Sequence, residues 1–254
     1  MPVCFITGAT KNTGYAIAEK FAENGYAIAI SSRREADAQA AAQRLEGKYG
    51  VQAAGYGLDL TSVSDVCRVF KKIKADFGRL DTFVANSAHL GVGNKLLTAT
   101  EEEFDALMDV NLKGNYFCCQ QAALLMKENG GGAMVFISSV HSKKPANRSL
   151  YSTSKAGINA LASAAALELA HLNIRVNTIL AGAIRTERWD DLTETEIAQK
   201  RKNWPLGVES TGEDIANGVF YLGTPLSKTV TGAEITIDSG VLLNLLPYNG
   251  GENK

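Results

Sequence analysis

The chain has 254 residues and is 45% apolar, enough for a well-packed core, and its 26 Lys and Arg against 27 Asp and Glu leave a formal net charge of −1. So even a balance gives no electrostatic reason to bind nucleic acid or an anionic membrane surface, and no run of about twenty apolar residues is present to span a bilayer. The four cysteines, Cys4, Cys67, Cys118 and Cys119, lack both metal-ligand spacing and the density of a disulfide scaffold, so the expectation is buried thiols in a soluble cytoplasmic protein without a metal site.

Short apolar runs alternate with longer amphipathic stretches, the pattern that buried parallel strands and their covering helices impose. Strands are predicted near 3–7, 26–32, 52–58, 80–86, 132–138, 173–180 and 233–237. A first helix from Thr13 to Asn24 stops at Gly25; an alanine-rich helix covers Glu35 to Tyr49; a third, Val63 to Phe77, sets Val66, Val69, Phe70 and Ile73 on one stripe. No internal repeat or linker interrupts the series, so the predicted architecture is one α/β domain over 1–254, a doubly wound parallel sheet of about seven strands with helices on both faces. The polar segment 183–208 breaks the rhythm and carries both tryptophans. A substrate lid and a static helical excursion both fit it.

The stretch TGATKNTG, Thr7 to Gly14, joins the first strand to the first helix. Such a turn gathers backbone N–H groups and the positive end of a helix dipole at one point, which suits a pyrophosphate. Gly8 permits the tight turn, Gly14 lets helix, sheet and ligand approach, and Asn12 is the non-glycine residue best suited to a left-handed backbone. Thr10 and Thr13 complete the turn. At the end of the second strand, where an NAD-selective site carries an acid, stand Ser32, Arg33 and Arg34; with Lys11 they favour a 2′-phosphate, and hence NADP. Taken singly, each cation is also an ordinary surface charge.

Further on, YSTSK places Tyr151 and Lys155 one helical turn apart on the same face. A nearby ammonium favours an ionised phenol, so Tyr151 is a candidate proton carrier. Before it, AMVFISSV ends in Ser138 and Ser139 at the carboxyl edge of a strand, where open α/β sheets bind ligands. Either serine is placed to meet a substrate carbonyl, and the strand register favours Ser139.

With TGATKNTG, Asp59-Leu60, NSA at 86–88, Asn111 in DVNLKG, ISS at 137–139, YSTSK and AGAIRT at 181–186 in this order, the chain resembles the classical short-chain dehydrogenase/reductase family over nearly its whole length. The resemblance implies a Rossmann fold and a cast of roles. Tyr151 is the general acid/base; Lys155 lowers its pKa and holds the nicotinamide ribose; Ser139 orients the substrate oxygen; Asn111 supports a water-linked proton relay. Asp59, with Leu60 beside it, contacts the adenine, Asn86, Ser87 and Ala88 line the nucleotide, and the loop bearing Gly182, Ile184 and Thr186 closes on the nicotinamide. A homo-oligomer is implied, a tetramer before a dimer. The chain departs from the family pattern at Asn12 for the middle glycine, at Ser87 and His89 within the usual Asn-Asn-Ala-Gly, and at Ala181 for a proline.

The loop VHSKKPANRSLY brings His141, Lys143, Lys144, Asn147 and Arg148 toward the expected substrate entrance. A polar or anionic substrate and a merely solvated basic loop both account for it. His89, His141 and Trp189 are candidate substrate contacts. The apolar run Val241 to Pro247 reads as core, pocket wall or, preferably, subunit interface. The expected activity is NADP(H)-dependent interconversion of a secondary alcohol and a ketone in a small-molecule substrate, with a catalytically silent NADP-binding sensor as the alternative.

Overall fold

The computed structural model describes residues 1–91, 95–145, 147–202 and 204–243. Seven strands, β1 (Val3–Thr7), β2 (Ala27–Ser32), β3 (Ala53–Gly57), β4 (Thr82–Ala85), β5 (Gly132–Ser139), β6 (Ile174–Ala181) and β7 (Glu234–Ile237), fall where the apolar runs predict them. They form one sheet in the order β3-β2-β1-β4-β5-β6-β7, with every pairing parallel. The chain reverses its winding direction between β1 and β4. This is the switch point of a doubly wound sheet, the place where such folds bind ligands at the carboxyl ends of the strands.

Side-chain alternation along each strand feeds two separate cores. On one face Phe5, Phe83, Phe136 and Val176 pack under α3 (Val63–Phe77), α5 (Asn115–Glu128) and α6 (Ser149–Leu169). On the other, Ile6, Ile28, Val84, Val135 and Ile179 meet α1 (Asn12–Glu23), α2 (Glu35–Tyr49) and α8 (Gly212–Gly223). Phe5 alone packs against Phe70 and Phe83, with ring centres 5.3 and 5.7 Å away. Full burial of one such ring stabilises the fold by roughly 1.5–3 kcal/mol. The predicted stripe on α3, Val66, Val69, Phe70 and Ile73, is its buried face, and the Ser62 hydroxyl caps the helix by accepting from the Asp65 amide at 3.2 Å.

Between α4 (Glu101–Met108) and α5 the helix widens into a six-residue π segment, Asp109–Gly114. The periodicity of the sequence does not announce it. Gly114 sits there because a Cβ would come within 2.5 Å of the Leu60 carbonyl. Segment 183–208 contains a short 3-10 turn at Glu187–Trp189 and α7 (Glu194–Arg201), which has no buried residue. Of the apolar run 241–247, Val241–Leu243 forms a 3-10 turn with Leu243 exposed, and the remainder lies outside the described residues. Among the described residues no helix is long and apolar enough to cross a membrane, and no group of three or more His, Cys, Asp or Glu comes together. Cys4, Cys118 and Cys119 are buried thiols; burial pushes Cys119 up to about 12.

Candidate active site

The glycine turn closes on the end of β4. Gly8 takes a left-handed φ of 64°, and a Cβ on it would lie 2.6 Å from the Ser87 hydroxyl. A Cβ on Gly14 would lie 2.5 Å from the Gly8 carbonyl and 2.6 Å from the Asn86 amide nitrogen. Asn86 stitches the turn down by donating to the Thr7 and Gly8 carbonyls at 2.9 and 3.0 Å, while Thr7 Oγ1 accepts from the Asn86 and Ser87 amides. Thr7 is a participant that reading the motif for glycines overlooks. Asn12 has φ 49°, the left-handed conformation for which a short amide side chain is suited. No side chain caps α1, so its first-turn amides remain donors, as a dinucleotide phosphate requires.

The cations divide. Arg34 is bound within α2, its guanidinium forming a fork with Asp37 at 2.7 and 2.9 Å, and the Ser32 hydroxyl donates to the Arg34 carbonyl at 2.7 Å. Of the three predicted phosphate cations, Arg34 is the one paired with an acid of its own helix. Arg33 is exposed and has no side-chain partner among the described residues. Lys11 pairs with Glu187 at 3.1 Å. Arg44 reaches the turn from α2 and donates to the Thr10 carbonyl at 3.2 Å, a contact that no sequence spacing signals. Asp59 accepts from the Thr61 amide and hydroxyl at 2.9 and 2.8 Å, bracing the bend after β3 in which Leu60 is buried.

At the carboxyl edge of β5 the two serines part company. Ser138 donates to the Lys155 carbonyl at 3.1 Å and anchors α6 to the sheet. Ser139 lies beside Tyr151, near enough for its hydroxyl to draw the phenol's pKa down, and it accepts from the His141 amide at 3.2 Å. Of the two serines, Ser139 is the one on the Tyr151 side, while Ser138 is engaged with α6. Tyr151 is 9% exposed and Lys155 4%.

Burial acts on the ionisation of both. It holds the Tyr151 phenol above its ordinary value; the Ser139 hydroxyl and the Arg148 guanidinium pull it down without overcoming that cost. The Lys155 ammonium donates to the Ile137 carbonyl at 2.8 Å and lies 5.8 Å from the centre of the tyrosine ring. Lys155 is itself shifted, by burial, down to about 8. Arg148, one turn ahead of Tyr151 in the polar loop, is a cation that acts on the phenol.

Asn111 is 1% exposed and spends its carboxamide on neighbours. It accepts from the His89 amide at 2.6 Å and donates to the His89 carbonyl at 2.9 Å and to Ser154 Oγ at 3.0 Å. Ser154 in turn donates to the Tyr151 carbonyl at 2.9 Å, so the π segment, the loop after β4 and the start of α6 are joined at one buried amide. His89 is pinned through its backbone, and Ala88 beside it is exposed. The His141 ring lies edge-on to Tyr151, with centres 6.3 Å apart. Trp189 packs instead on Trp204, 5.7 Å away, under Lys200. The loop after β6 is tied to the sheet and to the segment beyond it: Gly182 donates to Ile237 and Arg185 to Ser210, and Ile184 bridges Ser210. Thr186 leads from that loop into the turn at Glu187.

A family model described as enoyl-(acyl carrier protein) reductase matches residues 8–242. Sorbose reductase of Candida albicans is 31% identical over 94% of this chain and 86% of its own length. The chain is a short-chain dehydrogenase/reductase. A 3-oxoacyl-[acyl-carrier-protein] reductase of Staphylococcus aureus is 31% identical over 94% of this chain and 97% of its own. The crystal structure of a short-chain type dehydrogenase/reductase from Mycobacterium marinum superposes with a TM-score of 0.86 at 29% identity, covering 97% of this chain and 96% of that one. As a member of this family the protein is an oxidoreductase acting on CH–OH and C=O groups with a nicotinamide coenzyme. Its glycine turn, with no room for a Cβ at Gly8 or Gly14 and with uncapped amides above it, fits the phosphates of such a coenzyme.

Proposed function

We propose that this short-chain dehydrogenase/reductase uses NADP(H) to interconvert a secondary alcohol and a ketone, with Tyr151 carrying the proton. The observation that supports this most is the convergence of Ser139, Tyr151 and Lys155 at the carboxyl edge of the sheet, where the Ser139 hydroxyl draws the phenol's pKa down and the Lys155 ammonium lies 5.8 Å from the ring centre.

When bound, the nicotinamide ring supplies or accepts the hydride. Gly8, Thr10, Lys11, Asn12, Thr13 and Gly14 hold the phosphates, Asp59, Leu60, Asn86, Ser87 and Ala88 line the adenosine half, and Gly182, Ile184 and Thr186 cover the nicotinamide. In reduction, the Ser139 hydroxyl and the Tyr151 phenol both bond the substrate oxygen. The phenol gives up its proton as negative charge develops on that oxygen. Lys155, able to exchange a proton near pH 8, holds the nicotinamide ribose and reprotonates the phenolate. Asn111 fixes the floor of the site through His89 and Ser154. Burial keeps the proton on the phenol, the form in which it can donate to the substrate oxygen.

The NADP preference is supported by Arg33 and Lys11 and by the lack of any acid among Ser31, Ser32, Arg33 and Arg34 at the end of β2. The substrate class comprises small ketones, keto sugars and polyols, and 3-oxoacyl thioesters, contacted by His89, His141 and the 183–208 segment. A single-domain, cytoplasmic homo-oligomer, a tetramer before a dimer, completes the reading. A screen of these carbonyl compounds with NADPH and NADH tests it. NADPH consumption at a rate well above that with NADH is expected; coenzyme binding without turnover of any carbonyl would leave the sensor reading instead.

A further inference from the structure

Lys11 donates to Glu187 at 3.1 Å although 176 residues separate them. The two side chains are 67% and 62% exposed, so in water this is a weak, exchangeable ion pair. Its position gives it consequence. Lys11 is the N-cap of α1, where the uncapped amides and the helix dipole call for an anion. Glu187 opens the 3-10 turn that follows the nicotinamide loop. The other groups around the turn do not supply a negative charge to it: Arg44 donates to the Thr10 carbonyl, and Glu19 on the far side of α1 is held by Lys48 and Tyr49. Among the described residues, Glu187 is the acid that meets the turn's cation.

We infer that Glu187 is an affinity-determining residue for the coenzyme: its carboxylate occupies Lys11 as a stand-in for the coenzyme's phosphate, and binding exchanges one anion for the other. The inference rests on the reading of this turn as an NADP(H) site. A carboxylate left beside the incoming phosphate is repelled, so Glu187 must leave Lys11 as the coenzyme arrives. The shared chemistry is a phosphate on Lys11, and comparing NADPH with NADH separates a 2′-phosphate from the pyrophosphate common to both. Trp189, two residues beyond Glu187, packs on Trp204, and these are the chain's 2 tryptophans.

The test is equilibrium binding of NADPH and NADH to the full chain at low salt, by calorimetry and tryptophan fluorescence, for wild type, Glu187→Gln, Glu187→Asp, Lys11→Met and the Glu187→Gln/Lys11→Met double variant. Glu187→Gln is expected to bind NADPH about two- to fivefold more tightly, the scale of an exposed ion pair, and Glu187→Asp to stay near wild type. Lys11→Met is expected to bind more weakly, and adding Glu187→Gln to it to change nothing further. A larger gain for NADPH than NADH assigns the 2′-phosphate; equal gains assign the pyrophosphate. Unchanged or weaker binding by Glu187→Gln overturns the inference and leaves the coenzyme site standing. Wild-type affinity in Lys11→Met also overturns it, by removing Lys11 from that site. Failure of the wild type to bind either coenzyme ends both the inference and the reading beneath it.

Discussion

The ammonium of Lys155 lies 5.8 Å from the centre of the Tyr151 ring and donates to the Ile137 carbonyl at 2.8 Å. One helical turn brings the two residues together, and burial then acts on both: it pushes the phenol up and the amine down to about 8. Each group is moved toward its neutral form by the same loss of water.

That shift predicts a pH-dependent stability. The folded chain releases the Lys155 proton near 8 whereas an exposed lysine releases it near 10.5, so the unfolded state binds more protons across that window and stability rises with pH through it. Relative to Lys155→Met, the wild type should gain up to roughly 3 kcal/mol between pH 7 and pH 10.5. Chemical denaturation of both proteins at pH 7, 8.5 and 9.5 measures this, and parallel profiles would contradict it.

The glycine turn makes a steric prediction. In Gly14→Ala the new methyl meets the Gly8 carbonyl at 2.5 Å and the Asn86 amide at 2.6 Å, so backbone must move. A loss of about 1–3 kcal/mol in stability, with weakened coenzyme binding, is expected. An unchanged melting temperature would show that the turn has room to spare.

Much of this was readable from the sequence. All seven strands follow from apolar runs whose flanking helices must cover both faces of the sheet, and Asn12 reads as a left-handed residue because its amide side chain tolerates φ near its actual 49°. Arg34 reads as a phosphate cation beside Arg33 and Lys11, and its i,i+3 pair with Asp37 is equally legible from the spacing. The ionisation of Tyr151 was not legible, since a helical spacing reports closeness to Lys155 and says nothing of desolvation or of where the ammonium points. Nor were Lys11–Glu187 and the Arg185–Glu209–Arg201 cluster, which depend on the path of the 183–208 segment across the sheet edge.

Glu209 anchors that segment. Its side chain is 6% exposed and accepts from Arg201 at 2.7 and 2.8 Å and from Arg185 at 3.2 Å. The Arg201 hydrogen bonds hold its carboxyl down to about 2. The stabilisation is complete above the ordinary carboxylate value of 4.5 and is lost as pH falls toward 2. Glu209→Gln should therefore melt a few degrees lower at pH 7 and alter tryptophan emission from Trp189 and Trp204, the deficit shrinking below pH 4.5. A constant deficit down to pH 3 would place its origin elsewhere.

Coenzyme choice should follow Arg33. On the proposed NADP(H) reading, replacing it by Ala removes a charged hydrogen-bond donor to the 2′-phosphate and should raise KM for NADPH about tenfold, leaving that for NADH within about twofold. Equal effects on both coenzymes would contradict the assignment.

The central claim is that the Tyr151 hydroxyl delivers the proton to the substrate oxygen. The direct measurement compares wild type and Tyr151→Phe for NADPH affinity and for turnover of a carbonyl substrate found by the screen. The account predicts coenzyme binding within about twofold of wild type and a fall in kcat of at least the 10²–10⁴-fold that a positioned proton donor supplies. A phenylalanine variant that keeps wild-type kcat would contradict it.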